Sequence, residues 1–151
     1  AGHGEERLDG YKQALIDNNI VVNKKLIVPV EPETLSGYKV GKDFFSKKGD
    51  YPTAVFCYND LVAIGLMNAL AELGINVPND VSVMGFDDIE FGRFMKTPLT
   101  TIEMPAYEIG KAAAKLLIKQ IKSSKIPLNE RVILEHKIIE RKSVKKITAK
   151  K

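Results

Sequence analysis

Two pairs of polar residues each follow an apolar run that is typical of a buried strand. Asn59 and Asp60 come directly after AVFCY, and Asp87 and Asp88 come directly after VSVMGF. Because strands and helices alternate along the chain, we expect the two strands to be parallel, with their carboxyl ends at one edge of a sheet. Ligands of open parallel sheets bind beyond that edge. The spacing therefore predicts a ligand site lined by some of these side chains.

Each pair also has a structural interpretation, since Asn and Asp are the residues most favoured at helix N-caps. One member of a pair can cap the following helix while the other faces the ligand. We assign Asp60 and Asp88 to capping or local structure. Asn59 and Asp87, each the first residue after its strand, are assigned to the ligand cleft.

Arg7 is the third candidate for the cleft. It lies at the start of the first predicted helix, where the helix dipole disfavours a cation, so local helix stability does not explain it. An anion, or a hydroxylated ligand that accepts hydrogen bonds from the guanidinium, would explain it. A surface arginine without a ligand is the alternative. With Asn59 and Asp87, Arg7 would offer donors and acceptors to a set of hydroxyls or to a purine-like edge.

The chain has no pattern typical of a reaction centre. No Ser, Thr or Cys lies beside a histidine that could act as its base, and His3 and His136 lack metal-ligand spacing. Neither a GxxxxGK[ST] phosphate loop nor a GxGxxG motif occurs. Adjacent acids at 87 and 88 are a weak signal for a cation. We predict a binding protein with no catalytic residues, no cofactor and no metal.

Composition indicates a globular domain with a modest positive charge. The 151 residues are 44% apolar and carry 23 basic and 19 acidic side chains, for a net charge of +4. The segment RKSVKKITAKK at the end has no acid and no aromatic residue. We interpret 142–151 as a solvated basic tail, with a nucleic-acid contact as the alternative.

The single cysteine, Cys57, lies in an apolar run and is expected to be buried and inert. A chain that cannot form an internal disulfide fits a reducing compartment. No apolar run reaches the length that spans a bilayer. We therefore predict a cytoplasmic protein without a membrane partner.

Short apolar runs alternate with helical patterns, which predicts an α/β fold with a mostly parallel sheet and helices on both faces. Helices are predicted near 8–15 and at 36–48, 61–73 and 105–122, and strands at 25–30, 54–58, 81–86, 99–103 and 131–141. The helix at 61–73 is apolar nearly all round, so the sheet alone cannot cover it. We expect its second cover to be a partner subunit or another part of a larger fold.

Four segments, in order, resemble the lactose/galactose-repressor family of bacterial transcription regulators: RLDGYKQAL, PTAVFCYNDLVAIGLMNAL, GINVPNDVSVMGFDDIEFGRFMKTPLTTIEMP and ERKSV. The resemblance implies a periplasmic-binding-protein-like lobe, one of two between which a small effector binds, often a sugar or a nucleobase. Effector binding in such a homodimer changes the lobe arrangement and hence the affinity for operator DNA. The resemblance places effector contacts at Arg7, Asn59 and Asp87.

The resemblance also implies a division of the chain. Residues 1–104 would be the C-terminal lobe of the effector-binding core, incomplete at its start. Residues 105–141 would be a crossover helix and strand associated with the first lobe and the hinge, followed by the basic tail. Operator DNA would be bound by a domain that this sequence lacks. A cleft aromatic common in the family aligns here with Pro32, which weakens the case for stacking on a sugar.

Two other functions stay open. A transport-type periplasmic sugar-binding protein has the same core fold, and upstream sequence would distinguish it through a signal peptide in place of a helix-turn-helix. A small flavodoxin-like enzyme is a third possibility, against which the missing nucleophile and phosphate loop argue. The ERKSV ending and the DVSVMGFDD run favour the effector-sensing domain of a repressor.

Overall fold

The computed structural model of the chain describes residues 3–46, 51–122 and 130–146. Within these ranges the helices are α1 (His3–Asp17), α2 (Thr34–Phe45), α3 (Asp60–Glu72) and α4 (Ala106–Lys122). The strands are β1 (Ala54–Phe56), β2 (Ser82–Met84), β3 (Thr101–Glu103) and β4 (Lys137–Ile139). Short 3-10 helices cover Lys24–Leu26 and Glu90–Arg93.

The strands confirm the predicted α/β class. β1 and β2 are parallel, with Val55 opposite Val83, and a further parallel bridge joins Met84 to Thr100. β3 and β4 are antiparallel to each other. The carboxyl ends of β1 and β2 therefore lie at one edge, as their apolar runs and the intervening helix predict.

One predicted strand is absent and another is much shorter. Lys24–Leu26 form a 3-10 turn, residues 27–30 form no strand, and the predicted strand 131–141 is reduced to β4. An apolar run has the composition of a strand, but a strand needs a backbone partner to form. Nothing in the described ranges pairs with residues 27–30, and Pro29 has no N–H to donate. The predicted end of the second helix, at residue 48, lies outside the described residues.

α3 forms the centre of the core. Nine of its residues are buried because α2 packs along one side while β2 lies on another. Val62, Leu66 and Leu70 of this helix join Val83 and Leu99 in one apolar cluster. The second cover that the apolar surface of α3 requires is therefore α2 of the same chain. A partner subunit is not needed to explain this helix.

Small residues allow α2 and α3 to approach closely. A methyl group added at Gly37 would lie 2.2 Å from the carbonyl oxygen of Val62. On the opposite helix, one added at Gly65 would lie 1.9 Å from the carbonyl oxygen of Thr34. The two backbones are thus in direct contact, which only glycine permits at these positions.

α4 differs from the other helices, because none of its residues is buried. The apolar side chains of Tyr107 and Ile121 are each 76% exposed, and that of Leu117 is 58% exposed. The assignment of 105–141 to another lobe stays a prediction. None of the helices in the described part of the chain is long and apolar enough to cross a membrane.

The start of the predicted basic tail is not a solvated end. Ser143 is fully buried: its hydroxyl donates to the carbonyl of Val83 and accepts from the amide of Thr100. The Lys145 amino group donates to the carbonyl of Asn79. Hydrogen bonds, of which those of Ser143 are buried, therefore join residues 142–145 to the core, and a charge pattern does not reveal them. Residues 147–151 lie outside the described ranges.

Cys57 is expected to be unreactive in the folded chain. Its side chain is 4% exposed, and burial, with a smaller contribution from Asp60, raises its pKa to about 12. The reactive thiolate is therefore scarce at mildly alkaline pH. A chromogenic disulfide reagent should react with the thiol only after denaturant is added. Rapid reaction in native buffer would show that the end of β1 opens readily.

Candidate functional site

The Arg7 guanidinium is held at the carboxyl ends of β1 and β2. Its central carbon lies 3.8 Å from the centre of the Phe86 ring and 4.8 Å from that of Tyr58. Nη1 donates a 2.6 Å hydrogen bond to the backbone oxygen of Tyr58. The side chain is only 18% exposed. These contacts show that Arg7 is not a solvated surface side chain, and the stacking on two rings orients the remaining N–H groups. Its role as an effector contact stays a prediction.

Arg7 and Asp87 meet at this edge. Nη2 of Arg7 is 3.6 Å from Oδ1 of Asp87, close enough for an ion pair but too far for a hydrogen bond. Partial burial raises the pKa of the Asp87 carboxyl, and the nearby Arg7 charge opposes that shift. In the described part of the chain, the carboxylate accepts no hydrogen bond, and it is 33% exposed. No hydrogen bond within these ranges therefore uses its acceptor capacity.

Asn59 caps α3, a role that the sequence interpretation gave to Asp60. Its Oδ1 accepts a 2.9 Å hydrogen bond from the amide of Val62. Its Nδ2 makes a longer contact, 3.4 Å, to the carbonyl of Pro32, and the residue is 7% exposed. One amide hydrogen is left for a ligand. The role of Asn59 as an effector contact stays a prediction. The capping bond and the Pro32 contact leave this residue fewer hydrogen-bonding groups for a ligand than its type suggests.

Asp60 is a buried structural link, as its assignment to local structure predicts. Oδ1 accepts a 2.6 Å hydrogen bond from the hydroxyl of Thr101, and Oδ2 accepts one of 2.9 Å from the amide of Ile89. Burial raises the pKa of this carboxyl, while the two hydrogen bonds oppose the shift. A methyl group on Gly85 would lie 2.1 Å from Oδ1, so the glycine makes room for the carboxylate.

Asp88 also serves local structure. Its carboxylate pairs with Arg141 on one oxygen and with Arg93, at 3.2 Å, on the other. Asp87 and Asp88 have φ angles of 113° and 54°, in a region that L residues adopt uncommonly, although Asp does so more readily than most. The turn directs the two carboxylates to different partners: Asp87 to Arg7, and Asp88 to Arg93 and Arg141.

Several residues of the site were not identified from the sequence. Tyr58 and Phe86 each end an apolar run just before a polar pair, and this position is the signal that could have found them. Arg141 has no comparable local signal, since its partner Asp88 is 53 residues away. No group of three potential metal ligands is found in the ranges that the structure describes.

A cavity of about 440 Å³ runs along β1, between this strand and residues 26–30. Arg7 and Tyr58 are among its lining residues, and the remaining lining is mostly apolar. Asn59 and Asp87 do not line it. The cavity and the polar edge are therefore different features that share two residues, and a polar ligand fits the edge better.

The α/β fold, with polar side chains at the carboxyl ends of its parallel strands, has the features of a ligand-binding module. A family model described as a periplasmic binding protein-like domain matches residues 1–144. The chain therefore belongs to the periplasmic binding protein-like family. This confirms the resemblance noted from the sequence.

Curated relatives are transcription repressors. The chain is 38% identical over 144 residues to the HTH-type transcriptional repressor PurR of Vibrio vulnificus, a match that covers 95% of the chain and 42% of PurR. It is 39% identical over 119 residues to the ribose operon repressor of Haemophilus influenzae, covering 79% of the chain and 36% of that repressor. The chain thus spans less than half the length of these relatives.

Solved structures of transcription regulators are also similar to this chain. A LacI family regulator from Lactobacillus casei with bound sucrose is 30% identical, with a TM-score of 0.81 over 95% of this chain and 52% of that one. One from Enterococcus faecium with bound ribose is 29% identical, with a TM-score of 0.81 over 96% of this chain and 53% of that one. One from Bacillus cereus subsp. cytotoxis reaches a TM-score of 0.88 at 27% identity, over 95% and 50%.

Proposed function

We propose that the chain is the effector-sensing lobe of a bacterial transcription repressor. In this proposal a sugar or related small molecule binds between this lobe and a second one, and its binding changes the operator affinity of a homodimer. The names of the relatives, PurR and the ribose operon repressor, support the regulatory role. The ribose and sucrose bound in two structural neighbours support a sugar-like effector. Operator DNA would be bound by a domain outside this sequence.

The observation that carries the proposal is the Asp87 carboxylate, which accepts no hydrogen bond within the described ranges, beside the fixed guanidinium of Arg7. A carboxylate accepts two hydrogen bonds from a pair of neighbouring hydroxyls, and the guanidinium donates to a ring or hydroxyl oxygen. The 3.6 Å separation leaves room for one hydroxyl to accept from Arg7 and donate to Asp87. A polyhydroxylated ligand uses both groups at once.

The charge of this edge favours a neutral ligand. The guanidinium and the carboxylate largely cancel each other, so an anionic effector would gain little from Arg7 and would be repelled by Asp87. Sugars meet this condition through hydroxyls that both donate and accept. A nucleobase is the second effector class, because a purine-like edge also presents a donor beside an acceptor.

The division of the chain remains part of the proposal. Residues 1–104 would form the lobe that holds Arg7, Asn59 and Asp87, and 105–141 would connect to the first lobe. The exposed apolar surface of α4 supports this division, because an amphipathic helix without buried residues needs a cover that the described residues do not give it. In this division β4, which pairs with β3, would bring the connection to the first lobe close to the site.

The test is the replacement of Asp87 by Asn and by Ala in the intact regulator, with a panel of sugars and nucleobases titrated by calorimetry. A hydrogen bond to a charged group contributes roughly 1.5–3 kcal/mol, so affinity for the effector should fall about 10- to 100-fold. The unfolding midpoint should change little, since the carboxylate is partly exposed and accepts no intramolecular hydrogen bond in the described ranges.

Asp9→Asn is the matched control, because this carboxylate lies on α1 near Arg7 in sequence but is 73% exposed and pairs only locally with Lys12. Its effector affinity should equal that of the parent. Unchanged affinity in both Asp87 variants, together with a clearly lower unfolding midpoint, would assign Asp87 to structure and contradict the proposed site.

A further inference from the structure

The turn that carries Asp87 requires contacts from elsewhere in the chain. Two successive non-glycine residues with positive φ, Asp87 and Asp88, cost conformational free energy. Hydrogen bonds to β3 offset the backbone part of this cost. The amide of Asp87 donates to the carbonyl of Ile102 at 2.9 Å, and the amide of Asp88 donates to the hydroxyl of Thr101 at 3.3 Å. The carboxylate of Asp88 is held separately, by two arginines.

Those two arginines differ in what they can do. Arg141 is 13% exposed and uses both ends of its fork: Nη2 donates to Asp88, and Nη1 donates to the carbonyl of Leu99 at 2.8 Å. Its backbone amide is also fixed, at 2.9 Å from the hydroxyl of Thr100. Arg93 is 56% exposed, and Asp88 is its only side-chain partner among the described residues. Only Arg141 therefore connects the turn rigidly to the chain beside β3.

We propose that Arg141 is a positioning residue for the effector site. By holding the Asp88 carboxylate on one side of the turn, it fixes the direction in which the Asp87 carboxylate faces Arg7. Arg141 follows β4 by two residues, so the same contact joins the effector edge to the segment that leads from α4. The consequence for effector affinity rests on the proposed function, whereas the consequence for the geometry of Asp87 does not.

The geometry is tested in the 151-residue chain without any ligand. In Arg141→Gln, the NMR signals of the Asp87 amide and carboxyl and of the Arg7 guanidinium should shift. The guanidinium signals are sensitive reporters because Arg7 stacks on Phe86, the residue before the turn. Amide exchange at Asp87 should accelerate about 10-fold, the effect of losing one charge-assisted contact, while exchange at Leu70 in the core should not change.

Arg93→Gln is the matched control, because it removes a charge from the same carboxylate but at an exposed position. It should leave the signals of Asp87 and Arg7 in place. If Arg141→Gln does not fold, Arg141→Lys replaces it, since lysine keeps the charge but cannot reach both acceptors, and the same signals should move by a smaller amount. Unchanged Asp87 and Arg7 signals in the folded Arg141 variant would overturn the proposal.

The binding measurement separates this inference from the proposed function. In the intact regulator, Arg141→Gln should weaken effector binding about 10-fold while Arg93→Gln should not. Altered Asp87 signals with no binding of any sugar or nucleobase by the parent protein would support the positioning role and refute the proposed function. Normal effector binding in Arg141→Gln, with unaltered Asp87 signals, would support the proposed function and refute the positioning role.

Discussion

Gly65→Ala is expected to lower the free energy of unfolding by about 3 kcal/mol or more, at the upper end of the range for overpacked sites. The added methyl carbon would lie 1.9 Å from the carbonyl oxygen of Thr34 and 2.7 Å from the amide nitrogen of Tyr38. Both atoms belong to the backbone of α2, so no rotamer change can relieve the contact. The helices must separate, and the core around α3 loses its packing.

The measurement is thermal and urea unfolding followed by circular dichroism. For a chain of this size the melting temperature should fall by on the order of 10 °C. Gly10→Ala is the matched control: this glycine also lies in a helix, α1, but a methyl group there meets nothing within 4 Å. It should stabilise the chain by up to about 1 kcal/mol through helix propensity. A melting temperature of Gly65→Ala equal to that of the parent would show that α2 and α3 do not cross closely.

The second large effect is on ligand binding by the isolated chain. We expect its affinity for the effector to be close to millimolar, about −4 kcal/mol, well below that of the intact regulator. Arg7 and Asp87 contact a ligand from one side only, and without an opposing lobe the ligand remains half solvated. Each hydrogen bond then competes with water, which reduces its net contribution. Lobe closure over the ligand supplies the missing contacts in the proposed mechanism.

Parallel titrations of the 151-residue chain and the intact regulator, with ribose and the same panel of sugars and nucleobases, test this expectation. NMR detects binding in the millimolar range and identifies the residues involved. Shifts at Arg7 and Asp87 should accompany weak binding to the chain, and Asp87→Ala should abolish them. Equal micromolar affinity of the chain and the regulator would mean that the second lobe contributes nothing, and the two-lobed proposal would be wrong.

The sequence by itself determined the α/β class, the helices α2, α3 and α4, and the edge at which the polar residues gather. These features depend on energies that act between near neighbours. Apolar periodicity decides which residues can be buried, and Gly74, with a φ of 73°, ends α3 because it tolerates a left-handed conformation. Parallel strands bring their ends together, so the pattern also placed Asn59 and Asp87 at one edge, whereas the contact of Arg7 with Asp87 was implied by the family resemblance.

Tertiary structure alone decided which polar residue does which task. Asn and Asp cap helices about equally well, so the pattern could not tell that Asn59 accepts from Val62 while Asp60 turns inward to Thr101. The cover of α3 by α2, the missing partner of residues 27–30, and the pairing of Asp88 with Arg141 all join segments distant in sequence. Such choices depend on which partner lies within hydrogen-bonding or packing distance once the chain has folded. Local propensities do not depend on that distance.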